Sequence, residues 1–149
     1  MKKLVLGGVL AAAIAAAPAS ADAAIKPKPG TWTGKLDDTT YVELSVVKRG
    51  TRRLVRLSRY QDSIENGCVV SPVGEFLGTS GRALRVKSTG AFSGSFGSFS
   101  STFGARTTEA TGKFTSARRG RITVTASASD GDTTGCPKTT SFNLRRTSS

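Results

Sequence analysis

The sequence has no histidine at all, and among its 149 residues only two are cysteine, one is tryptophan and one is methionine. Without histidine, a serine or cysteine nucleophile lacks its usual base and a zinc site lacks its commonest ligand. The two cysteines, Cys68 and Cys136, are far apart and form no Cys-x-x-Cys unit, which excludes the common dithiol redox and zinc-ribbon patterns. Acidic residues are also scarce, 10 against 22 Lys plus Arg, for a formal net charge of +12. The only long apolar run, Leu4 to Ala17, is shorter than a membrane span needs. No window carries the 3.6-residue periodicity of an amphipathic helix.

What is present begins with an address. Lys2 and Lys3 precede the apolar run, and Ala19-Ser20-Ala21 follows it, so residues 1–21 read as a secretory signal peptide cleaved before Asp22. The remaining 128 residues suit one domain with one core. Residues 22–29, "DAAIKPKP", read as a flexible or extended leader. An exported chain meets an oxidising compartment, so Cys68 and Cys136 are expected to pair. The loop they close is long, and the chain-entropy account gives about 4 kcal/mol of stabilisation.

From Gly30 onward, short apolar–polar alternations are separated by Gly, Ser, Thr and Asp clusters. "RITVTASAS" sets Ile122, Val124, Ala126 and Ala128 on one face and hydroxyls on the other, the pattern of a half-buried antiparallel strand. "YVELSVVK", "ALRVKS" and "TSFNLRR" alternate in the same way, with Trp32 and Phe114 as further core anchors. "RLVRLSRYQ" is irregular and reads as an edge strand. Phe92, Phe96, Phe99 and Phe103, set among glycines and serines, read as a hairpin whose rings fill the core. The expected fold is therefore all-β over residues 30–149: one antiparallel β-sandwich (or barrel) of about seven to eight strands, closed by one disulfide.

Candidate chemistry is limited. Glu43, Glu65, Glu75 and Glu109 are the carboxylates a glycosidase pair would draw on, and nothing in their spacing selects two. Asp130 and Asp132 in "DGDTTG" read as turn residues rather than calcium ligands, because no distal carboxylate follows. No metal or cofactor is expected. Stronger is the basic pattern in "VVKRGTRRLV" and "TSARRGRITV", each read as a hairpin tip with basic residues around a glycine. If the tips share an end, Lys48, Arg49, Arg52, Arg53, Arg118, Arg119 and Arg121 form one anion-binding surface. Trp32, Tyr41 and Tyr60 are the aromatic candidates for a glycan platform.

"GTWTGKL" opening the domain, a mid-chain cysteine, "TGKFTSARRGRITV" and a cysteine shortly before a basic last strand resemble small secreted β-rich proteins of high-GC Gram-positive bacteria. The resemblance implies a β-rich fold and export, and carries no site residues with it. The expected function is a secreted, non-catalytic binding or structural module at the cell envelope, contacting an anionic surface polymer or glycan. The alternatives are a carbohydrate-binding module or small glycoside hydrolase, and a protein–protein module of inhibitor or adhesin type. Nucleic acid is not the expected ligand of an exported chain.

Overall fold

A computed structural model describes residues 23–62, 76–77, 82–101, 104–128 and 138–149. The expected signal peptide, Cys68, Cys136, Glu65, Glu75, Phe103, Asp130 and Asp132 lie outside these residues. Nine strands are described: β1 (Gly30–Lys35), β2 (Tyr41–Arg49), β3 (Arg52–Gln61), β4 (Phe76–Leu77), β5 (Leu84–Arg85), β6 (Ala91–Ser101), β7 (Gly104–Phe114), β8 (Arg119–Ala128) and β9 (Lys138–Ser148). Among the described residues there is no helix, and so none long and apolar enough to cross a membrane.

All pairings are antiparallel and belong to a single sheet, ordered β4-β3-β2-β1-β9-β8-β7-β6, with β5 also on β3. The first long strand thus pairs with the last. On the far edge of β3, β4 meets Arg59 and Tyr60 while β5 meets Leu54 and Val55. The β5 segment reaches β6 as well: Arg82 N–H donates to Phe96 O at 3.0 Å and Lys87 N–H to Ala91 O at 2.8 Å. One sheet therefore curls until its margins meet, giving a nearly closed barrel, the second of the two arrangements expected, with the core inside it.

The alternation in sequence fixes which side chains enter. Val42, Leu44 and Val46 of β2, Ile122 and Val124 of β8, and Phe142 and Leu144 of β9 are all buried. Trp32 is fully buried, with its ring centroid 4.7 Å from that of Phe114, which lies 5.2 Å from Phe92. Gly112 makes room for this stack, because an added Cβ there would run into the Phe92 ring. Phe92 and Phe96 fill the core as expected of the hairpin.

Three register shifts break the ladders, one between β1 and β9 at Thr31 and Trp32 and one each in β3 and β6. In β3, Leu57 opposes Leu44 and Arg59 opposes Glu43, which leaves Ser58 as the extra residue. The bulge shifts the phase, so Leu57 and Tyr60 both point inward although they are three positions apart. That is why "RLVRLSRYQ" looked irregular. The strand is paired along both sides and is not an edge. In β6, Phe96 is extra between Ser95 and Gly97, and Gly97 takes φ 110°.

Because each strand reverses the last, save that β4 and β5 both run antiparallel to β3 and so in one direction, the connections alternate between two ends. The β2–β3, β5–β6 and β7–β8 turns, the segment from Ala23 to Pro29 and the end of β9 share one end. The β1–β2, β3–β4, β6–β7 and β8–β9 connections begin and finish at the other.

Candidate anion-binding end of the barrel

The β2–β3 turn is a two-residue loop, Gly50-Thr51, between the opposed residues Arg49 and Arg52. Gly50 sits at φ 58°, the left-handed conformation that tight hairpin turns of this twist require. The β7–β8 turn is built differently. Ser116 Oγ accepts the Arg118 and Arg119 backbone N–H groups at 3.2 and 3.0 Å, and Thr115 N–H donates to Arg119 O at 2.9 Å. The tip is thus Ser116 to Arg118. Gly120, expected at the tip, lies instead in β8, with its missing Cβ leaving space for the Phe114 ring.

All seven basic residues singled out from sequence fall at the same end. They do not form one cluster, because the two tips flank the barrel mouth on opposite sides of the strand circle. Lys48 and Arg53 occupy the inward-facing register at the mouth, following Val46 and Val55, while Arg49 and Arg52 lie on the outer register.

Residues 23–29, the described part of the segment 22–29 expected as a flexible or extended leader, run extended across this mouth and are tied down on both sides. Ile25 N–H donates to Ser88 O at 3.0 Å and Lys28 N–H to Ala117 O at 3.1 Å. Proline has no N–H, so the Lys-Pro-Lys-Pro run is rich in acceptors. Three of its carbonyls are used: Pro27 O by Arg53 Nε at 3.1 Å, Lys28 O by Trp32 Nε1 at 3.0 Å, and Pro29 O by Arg146 Nε at 2.9 Å. Ile25 packs against the core.

The electrostatics of this end are one-sided. Four like-charge pairs stand directly opposite across neighbouring strands: Lys48 with Arg53, Arg49 with Arg52, Lys113 with Arg121, and Arg119 with Arg145. Such juxtapositions destabilise a sheet. No Asp or Glu among the described residues lies at this end to relieve them. Beside the β2–β3 turn a cavity of about 360 Å³ is lined by Ala24, Ile25, Lys26, Thr51, Arg52, Arg53, Arg85, Val86, Lys87 and Ser88. Sequence reading did not single out Lys26, Arg85 and Lys87. The outward alternation of Arg85 and Lys87 around Val86 was visible, but their proximity to Arg52 depends on β5 docking against β3.

The other candidates separate. Glu43 and Glu109 sit on the outer registers of β2 and β7, four strands apart in the circle, so they cannot flank one glycosidic bond. Trp32 and Tyr60 are buried, which leaves Tyr41 as the one partly exposed ring of the three. Among the described residues no group of three His, Cys, Asp or Glu is placed to hold a metal ion.

At the opposite end, Asp62 is 6 % exposed. Its Oδ2 accepts Tyr60 OH at 2.9 Å and Thr140 Oγ1 at 2.6 Å, and its Oδ1 meets Lys138 Nζ at 2.7 Å. Burial, then the Asp62 charge and hydrogen bond, holds the Tyr60 hydroxyl well above the ordinary tyrosine range. At the tip of the β1–β2 connection, Asp37 accepts from Thr39 through both its hydroxyl and its backbone N–H, which lowers the carboxyl from its ordinary value. No known protein family, curated protein or solved structure matches the chain.

Proposed function

We propose that the protein is a secreted, non-catalytic binding module of the cell envelope, and that its basic barrel end contacts an anionic surface polymer. The observation that carries this reading is the set of four directly opposed like-charge pairs at one end, with no acidic residue described nearby. Charges kept only for solubility gain nothing from such placement, since they serve as well when scattered. An anionic ligand converts the repulsion into binding energy, and arginine offers paired N–H groups to phosphate or carboxylate. Export is inferred from residues 1–21. A disulfide between Cys68 and Cys136 fits it, because the described residues bordering the two cysteines, Asp62 and Lys138, already meet in an ion pair.

The test is retention of the purified protein on native envelope fractions across a salt titration. Steep loss with salt, and abolition by replacing Arg118, Arg119 and Arg121 together with alanine, is the expected result. Salt-resistant retention would instead favour a glycan or a protein partner.

A further inference from the structure

The cavity beside the β2–β3 turn has a more specific chemistry than the general charge of that end. Five cations line it, Lys26, Arg52, Arg53, Arg85 and Lys87, and no carboxylate does. They come from three distant stretches of the chain and are brought together by two backbone links. Val86 N–H donates to Arg53 O at 2.9 Å, joining β5 to β3, and Ile25 N–H donates to Ser88 O at 3.0 Å, docking the N-terminal segment. The Arg53 guanidinium spends Nε on Pro27 O, which orients the group while its terminal N–H donors remain for a ligand. Buried Val86 and half-buried Ile25 supply apolar wall, where charge interactions are less screened than in open water. The volume lies within the range of small-molecule sites, about 300–1,000 Å³.

We propose that this cavity is a phosphoryl-binding subsite, completed by docking of residues 24–26 and taking a di- or polyphosphate group or the phosphates of a polymer chain. A single carboxylate would leave most of the five positive charges uncompensated. One phosphate monoester brings about −1.5 to −2 charges at pH 7 and three acceptor oxygens, and linked phosphates bring more. The guanidinium groups suit bidentate contact with phosphate oxygens, while Lys26 and Lys87 act as point charges. The Thr51 and Ser88 hydroxyls add neutral donors in the same lining. The N-terminal segment is thereby part of the site: Lys26 contributes one of the cations, and Ala24 and Ile25 form part of the wall. This proposal rests on the reading of the basic end as an anion-binding surface, and it assigns that surface a defined ligand class.

The experiment measures binding of pyrophosphate by calorimetry and retention on immobilised long-chain polyphosphate, for the unaltered protein, the R85A/K87A variant, Lys26→Ala and an R118A/R121A control. All the replaced side chains are exposed, and an unchanged thermal midpoint checks each fold. We expect R85A/K87A to weaken pyrophosphate binding by at least about tenfold, Lys26→Ala to weaken it in the same direction, and the control to leave it near the original value. Polyphosphate retention without pyrophosphate binding, still lost in R85A/K87A, would assign the same cavity to internal phosphates of a chain. Pyrophosphate affinity that is unchanged in both R85A/K87A and Lys26→Ala, while R118A/R121A loses polyphosphate retention, would overturn the subsite and leave the basic-end reading standing. Absence of both binding and retention in the unaltered protein would overturn both.

Discussion

The two ends of the barrel are made by the same strands, yet they treat charge in opposite ways. At the Asp62 end a buried carboxylate is met by two hydroxyls and an ammonium, so charge is paired and withdrawn from water. At the other end, arginines and lysines face one another in opposed pairs with no described acid among them. A buried paired charge ties strands β3 and β9 to each other. Exposed like charges set opposite one another weaken their own sheet slightly and leave a positive field that an anionic ligand can neutralise. The difference teaches where stability and binding are separately invested: removing groups at the first end should destabilise the protein, and removing them at the second should leave it stable but unable to bind.

The largest effect tests the proposed disulfide. If Cys68 and Cys136 pair as proposed, reduction should lower stability by about 4 kcal/mol, read as a drop in thermal midpoint between oxidised and reduced protein. An unchanged midpoint would remove the disulfide from this account. Next, Asp62→Ala removes the acceptor that Tyr60 and Thr140 share and the carboxylate that Lys138 meets, for an expected loss of about 3 kcal/mol in urea unfolding. A loss below about 1 kcal/mol would show that this end is no more critical than the other.

A pH experiment sharpens the contrast. In the folded protein the Tyr60 proton is held well above its ordinary range, whereas in the unfolded chain the hydroxyl ionises near pH 10. The unfolded state therefore binds fewer protons above about pH 10, and stability should be complete below that value and fall as pH rises beyond it. Tyr60→Phe should flatten this alkaline decline and lower stability at neutral pH by about 1 kcal/mol through the lost hydrogen bond. An equally steep decline in the variant would place the titrating group elsewhere. The smallest effect has the opposite sign. Arg49→Glu turns the Arg49–Arg52 repulsion into attraction and should raise stability by roughly 0.5 kcal/mol in the same unfolding assay. A measurable loss would mean that the opposed arginines are not in conflict.

The inward positions were legible residue by residue wherever alternation ran unbroken, as in β2, β8 and β9. Tyr60 was misplaced on the surface as a possible glycan platform because the bulge at Ser58 changes the phase of β3, and nothing local in "RLSRYQ" marks where the extra residue falls. Gly120 was misread for a related reason: a glycine after two arginines looks like a turn, but here it serves a ring packed against it from the neighbouring strand. The basic tips were visible as residues, and their common end follows from strand parity. Lys26, Arg85 and Lys87 escaped because each is an ordinary exposed charge until β5 and the N-terminal segment dock.

By itself, then, the sequence determined the all-β class, the apolar face of most strands, the imbalance of charge and the poverty of catalytic groups. These depend on local alternation and composition, which the linear order of residues carries directly. The tertiary structure alone decided that one sheet closes on itself, that the proline-rich segment crosses the mouth, and that cations from three distant stretches line one cavity. These depend on long-range hydrogen bonds, such as those from Ile25 to Ser88 and from Val86 to Arg53, whose partners no local pattern names.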